Sequence, residues 1–182
     1  MSSQSFSDVL MIKTTSFADE RGSFSEVYNK KTMKDHGLDE EFVQDNVSYS
    51  KNKGTIRGLH FQVGESSQSK LLRVLKGKIQ DVFIDLRKNS NTFEQCGYEN
   101  MSPETGWIYI PKGFAHGFCT LTDNVQVLYK VGSYYSKEND YGIKWDDKTF
   151  NVNWNLNNNK PIISSKDNNL PYWSDIKDTM GF

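Results

Sequence analysis

Lys70 to Arg87 reads KLLRVLKGKIQDVFIDLR, a run dominated by Val, Leu and Ile and broken once, at Lys76-Gly77. Branched apolar residues in such density predict β-strand, and the Lys-Gly pair predicts a turn, so the stretch reads as two strands of a hairpin. Side chains alternate across a strand, which puts Ile79, Asp81, Phe83 and Asp85 on one face of the second arm and Val82, Ile84 and Leu86 on the other. Two carboxylates at regular spacing on a half-apolar face demand polar partners. Downstream, GWIYIPKGFAHGF (Gly106 to Phe118) and NVQVLYKVGSYY (Asn124 to Tyr135) supply further strands around the turn sequence LTDN. In the last of these, Val125, Val127, Tyr129 and Val131 point together. Upstream, Asn29 to Phe42 is polar with scattered apolar positions and reads as one short helix ending near Gly37. Short strands at this spacing predict a mainly β fold, an antiparallel jelly-roll sandwich or barrel with a few short helices.

The chain of 182 residues suits one domain with a substantial core, and no linker or internal repeat divides it. A net charge of −1 provides no general attraction to nucleic acid or to an anionic membrane. Any anionic ligand must therefore meet a local cluster of Lys and Arg. No stretch approaches the ~18 apolar residues that a membrane-spanning helix needs. The N-terminus lacks the features of a signal peptide, and two cysteines, Cys96 and Cys119, make no disulfide framework, so a reducing cytoplasm is expected. The asparagine-rich NVNWNLNNNK (Asn151 to Lys160) reads as irregular, and the apolar residues after it suggest that the C-terminal segment packs back on the body.

The pattern Pro111-x-Gly113-x-x-His116 resembles the second motif of cupins, which often hold a metal through three His and one Glu. The matching first motif needs His-x-His, because alternate strand positions face the same way. Here the sequence is His60-Phe61-Gln62, and His36 falls in the predicted helix. Gln is a poor ligand for transition metals, so the jelly-roll scaffold is expected and a metal is not.

Several segments together resemble the dTDP-4-dehydrorhamnose 3,5-epimerase family of cupin-fold enzymes. They are DERGSFSEVY (Asp19 to Tyr28), FVQDNVSYSKNKGTIRGLHFQ (Phe42 to Gln62), the Lys70–Arg87 stretch, IPKGFAHGF (Ile110 to Phe118), LYKVGSYYSKENDYGIKWDD (Leu128 to Asp147) and PIISSKD (Pro161 to Asp167). They occur in the family's order and span most of the chain. The resemblance implies inversion at C3 and C5 of a dTDP-linked 4-keto-6-deoxyhexose through an enolate, with no cofactor. His60 matches the family's base and Asp167 the carboxylate that orients it. Lys70 matches the cation beside the C4 oxygen, Tyr129 the acid on the opposite face, and Asp81 the partner of the Tyr129 hydroxyl.

Nucleotide and sugar contacts are implied for Arg21, Phe24 and Glu26, in the family supplied by a neighbouring subunit through a swapped N-terminal strand. Gln44, Asn46, Arg57, His116 and Tyr135 are implied to line the rest of the pocket, and a homodimer is expected. Ser69 stands where the family usually has Gly, and VGESSQ (Val63 to Gln68) lacks its usual prolines. Two alternatives therefore stay open: a single-centre epimerase or ketoisomerase on a related nucleotide sugar, and a non-catalytic sugar-binding cupin.

Overall fold

A computed structural model of the chain describes residues 6–156 and 159–180. Three short N-terminal strands come first: β1 (Leu10–Ile12), β2 (Ser16–Asp19) and β3 (Gly22–Ser25). Helix α1 (Lys30–Asp35) begins where the Asn29 side chain accepts hydrogen bonds from the Lys31 and Thr32 amides, and it stops just before Gly37, whose φ is +85°. The body follows as β4 (Gln44–Ser50), β5 (Thr55–Gln62), β6 (Lys70–Lys76), β7 (Ile79–Asp85), β8 (Cys96–Met101), β9 (Trp107–Ile110), β10 (Phe114–Thr120) and β11 (Val125–Val131). The short strands β12 (Asp140–Gly142) and β13 (Ile162–Ile163) and the helices α2 (Ser165–Asn168) and α3 (Trp173–Ile176) complete it.

The strands form two facing sheets, one in the order β1-β9-β6-β11-β4 and the other β12-β5-β10-β7-β8 with β13 added beside β5. This is the expected antiparallel sandwich, with one correction. The Lys76-Gly77 turn exists, but β6 and β7 lie in different sheets and do not pair. The alternation explains why. Leu72 and Val74 of β6 belong to the same buried cluster as Ile79 and Phe83 of β7, and this cluster fills the space between the sheets. Paired hairpin arms would set those side chains next to one another on one surface; only strands in opposite sheets can face them together. Gly77 sits at the crossing with φ +82°, where an added Cβ would lie 2.6 Å from Thr122 Oγ1.

Strand β7 is buried along its whole length. Its inward face meets the other sheet, and its outward residues Val82 and Ile84 join a second cluster with Ile56, Leu59 and Phe61. That outer surface is covered by Phe150, Trp154, Trp173 and Met180 from the C-terminal segment. The side chain of Gln80 fastens the cover by donating to the Asn153 carbonyl and accepting from the Asn155 amide.

Candidate active site

A cavity of about 590 Å³ opens between the two sheets, with β5 and β10 on one wall and β6 and β11 on the other. It is lined by Arg57 and His60 from β5, Lys70 from β6, His116 from β10 and Tyr129 from β11, with Asp167 of α2 closing one side. Strand alternation alone cannot turn both Arg57 and His60 inward, since they are three residues apart. The pairing supplies the answer. His116 lies opposite His60 and Phe118 opposite Arg57, so β5 takes three steps where β10 takes two. This bulge falls at Gly58 and aims both side chains into the cavity.

Gly58 is required there. Its φ is +123°, and a Cβ would sit 2.6 Å from the Gly117 Cα and 2.8 Å from the His116 carbonyl oxygen, both backbone atoms that cannot step aside. Gly58→Ala should therefore destabilise the protein by about 3 kcal/mol, through strained φ and overpacking. Thermal melting should register this as a Tm lower by roughly 10 °C; an unchanged Tm would show that β10 yields.

The amide of Gly58 also builds the site. It donates to Asp167 Oδ2 at 3.0 Å, while Asp167 Oδ1 lies 3.1 Å from His60 Nε2. Burial works to raise the Asp167 carboxyl, but the bonds from His60, Gly58 and Ser164 outweigh it and hold the group below its ordinary value. An ionised carboxylate only accepts, so Nε2 of His60 carries the hydrogen and the lone pair of the neutral ring falls on Nδ1. That nitrogen has no hydrogen-bond partner among the described residues. The pair is thus a base held by an orienting anion, the arrangement needed to take a proton from carbon.

Lys70 is almost wholly enclosed, and its ammonium donates to the His60 carbonyl at 3.0 Å. Burial lowers its pKa to about 8 against the opposing pull of the Asp81 and Asp140 carboxylates. Tyr129 shares the apolar cluster between the sheets but also borders the cavity. Burial raises its phenol above the ordinary value, with the Arg57 cation working the other way, so the hydroxyl keeps its proton at neutral pH. The structure corrects the partner expected for it. Asp81 Oδ2 lies 2.9 Å from His116 Nε2, and Tyr129 makes no hydrogen bond among the described residues. Asp81 and His116 sit on adjoining strands of one sheet, whereas Tyr129 belongs to the facing sheet.

The remaining expected residues divide by place. Tyr135 lines the cavity, and Arg57 does so while donating to Ser50 Oγ and the Tyr49 carbonyl. Gln44 and Asn46 do not line it, contrary to expectation. They lie on the face of β4 that Ser48 presents to the cavity but farther along the strand, bonded to each other at 2.8 Å. Arg21 and Phe24 stand on the β2–β3 ribbon and Glu26 just beyond it, away from this chain's cavity. There Arg21 pairs with Asp19 at 2.6 Å, and Phe24 is 72% exposed. Asp140 and Lys166, joined at 2.7 Å with the Tyr135 hydroxyl donating to the same Asp140 oxygen, border the cavity and were not anticipated. Lys166 is the neighbour of Asp167 in SSKD, so its signal was adjacency to a residue already singled out.

Gln62, at the position of the second cupin histidine, donates to the Ser66 and Tyr134 carbonyls and accepts from the Ser136 amide. Its amide is fully engaged in tying two loops together. A cavity of about 520 Å³ elsewhere, near Phe6 and Arg87, holds a guanidinium already satisfied by Asp8 and Asp85. The chemistry concentrates around His60.

Known proteins share both this sequence and this architecture. The dTDP-4-dehydrorhamnose 3,5-epimerase of Shigella flexneri is 44% identical over 164 residues, 89% of each chain. The crystal structure of the Bacillus anthracis dTDP-4-dehydrorhamnose 3,5-epimerase, with TDP and PPi bound, is 46% identical with a TM-score of 0.88, covering 93% of this chain and 96% of that one. The Legionella pneumophila dTDP-6-deoxy-D-glucose-3,5-epimerase, solved in complex with dTDP-4-keto-L-rhamnose, is 36% identical with a TM-score of 0.84, covering 91% and 88%. The family description dTDP-4-dehydrorhamnose 3,5-epimerase matches residues 3–175. With a dyad, a cation and a phenol gathered in one jelly-roll cavity and the match running nearly end to end, this chain belongs to the dTDP-4-dehydrorhamnose 3,5-epimerase family.

Proposed function

We propose that the protein inverts C3 and C5 of a dTDP-4-keto-6-deoxyhexose in dTDP-rhamnose biosynthesis. The observation that carries this reading is His60, bonded to Asp167 and lining the same cavity as Lys70 and Tyr129. A ketone at C4 acidifies the hydrogens on C3 and C5. His60 takes one of them, the electron pair moves onto the C4 oxygen as an enolate, and the Lys70 ammonium stabilises the charge that develops there. Tyr129 returns a proton to the opposite face of the carbon. The chain's own groups supply base, electrophile and acid, so the reaction needs no cofactor.

We place the nucleotide diphosphate between Arg57 and residues from a second copy of the chain. Phe17 and Phe24 pair across the β2–β3 ribbon and are 63% and 72% exposed, and β4 is an outer strand of its sheet. A ribbon docked on a partner would cover those rings and carry Arg21, Phe24 and Glu26 to the partner's cavity near Gln44 and Asn46. The working unit on this reading is a homodimer. No helix among the described residues is long and apolar enough to cross a membrane, and both cysteines are unpaired, with thiols pushed up to about 11 by burial. The reading places the enzyme in the cytoplasm.

Incubation with dTDP-4-keto-6-deoxyglucose in deuterated water should place deuterium at both C3 and C5, read by NMR or mass spectrometry. Label at C3 alone would mean a single-centre epimerase, and no label at either carbon would leave a sugar-binding protein. Tyr129→Phe should spare exchange more than net inversion, because only inversion needs the acid on the far face.

Lys70 sets a second test. Below about pH 8 its amine is charged and above it neutral, so kcat/KM should fall as the pH rises through that value. Lys70→Met should lose the basic limb together with most of the activity, on the order of 10²-fold or more. A variant that kept the limb would assign it to another group.

A further inference from the structure

Among the described residues, Asp81 is a buried acid beside the cavity to which the reaction outlined above gives no direct part. It is completely enclosed, its Oδ2 accepts from His116 Nε2, and its Oδ1 has no partner among the described residues. An enclosed carboxylate with an unsatisfied oxygen is costly, and an apolar residue of similar size would serve packing better. Besides the pull Asp81 exerts on the Lys70 ammonium, its one direct side-chain partner among the described residues is His116. An ionised carboxylate only accepts, so the hydrogen between the two groups belongs to Nε2 of the imidazole. The other nitrogen, Nδ1, makes no hydrogen bond among the described residues, and the ring borders the cavity.

Several polar groups of the cavity are already committed. Lys70 and Arg57 only donate. Asp167 is taken up by His60 and Gly58, and Asp140 by Lys166 and Tyr135. Nδ1 of His60 is reserved for the carbon-bound proton. A hexose hydroxyl donates its own hydrogen when it is desolvated, and the His116 ring, with Nε2 held by Asp81, offers Nδ1 as an acceptor at the cavity wall, alongside the Ser48 hydroxyl and the Gln68 side chain. The C3 hydroxyl sits on a carbon that inverts, so a fixed contact there would oppose the reaction. The C2 hydroxyl keeps its configuration throughout.

We propose that Asp81 is a positioning residue that holds the proton of His116 on Nε2, so that His116 Nδ1 accepts a hydrogen bond from the C2 hydroxyl of the bound sugar and selects substrates that carry it. The inference rests on the keto-sugar reading of the cavity.

Its first test uses the free protein. With ¹⁵N-labelled histidine, and the signals of the three rings assigned by single His→Gln variants, long-range ¹H–¹⁵N spectra should show His116 protonated on Nε2. The proton should be displaced downfield by its carboxylate partner. Asp81→Asn should move that signal; a wild-type ring protonated on Nδ1, or a signal unmoved in the variant, overturns the proposal.

The second test is kinetic. Asp81→Asn should raise KM for dTDP-4-keto-6-deoxyglucose roughly tenfold with a smaller change in kcat, as expected on weakening a charge-assisted contact. The penalty should vanish with the 2-deoxy analogue. A loss confined to kcat, or a KM penalty that persists with the analogue, overturns the assignment. Should Asp81→Asn fail to fold, His116→Gln with the same two substrates and the wild-type spectrum still decide. Failure of the wild-type protein to exchange deuterium into the sugar would count against the epimerase reading, whereas the spectra judge Asp81 without turnover.

Discussion

His60→Ala should slow the exchange of the C3 and C5 hydrogens by on the order of 10²–10⁴-fold, the usual effect of removing a positioned general base. The fold should survive, because the ring is partly exposed to the cavity and lies outside the apolar clusters. The Asp167 carboxylate would still accept from the Gly58 amide, and the Asp167 backbone amide would still donate to Ser164 Oγ, on their own side of the site. Exchange can be followed by loss of the C–H signals in deuterated water, with a thermal melt as the control for folding. Normal exchange in the variant would transfer the role of base to another group and remove the reason for the dyad.

Asp167→Asn should cost a comparable amount for a different reason. The Gly58 amide needs an acceptor, and the new side chain has a single oxygen to offer it. Its NH₂ group is then turned toward His60 Nε2, which must accept, and the imidazole proton is driven to Nδ1. The lone pair leaves Nδ1 with the geometry otherwise kept, the same wrong-tautomer logic that disables a serine-protease triad when its aspartate is replaced by asparagine. A drop in kcat on the order of 10²-fold or more, with the melt at pH 7 little changed, is the expected outcome; wild-type kcat would show that the carboxylate does not orient the base. The control belongs at neutral pH. Because the Asp167 carboxyl is held below its ordinary 3.8, its stabilising effect is present above 3.8 and disappears as the pH falls below that toward the depressed folded-state value.

Much of this architecture was legible in local sequence. Alternation in β7 and β11 sorted their residues correctly by face, since the period of a strand is independent of what it pairs with. The partner of a strand is not encoded in that way. The Lys76-Gly77 turn was visible, but whether its arms pair or pass to opposite sheets depends on Leu72 and Phe83 meeting across the core. The same limit governed Asp81. Its inward orientation could be read; its choice of His116 over Tyr129 depends on the lateral register of β7 and β10. RGLH in TIRGLHFQ carried a further geometric message, the bulge that turns Arg57 and His60 the same way, and this emerges only when β5 is laid against β10. Gln44 and Asn46 were matched by motif, and motif does not say how far along β4 the cavity extends.

The C-terminal cover has one more implication. It supplies the plug over the outer face of β7 through Phe150 and Trp173, and between those two residues it also carries Asp167. The segment that covers the core is thus also the one that delivers the carboxylate to the base. A nascent chain that ends before Phe150 lacks both the cover over the outer face of β7 and the carboxylate that His60 bonds. Completing the apolar cover and supplying the partner of His60 both wait on the same last stretch of chain.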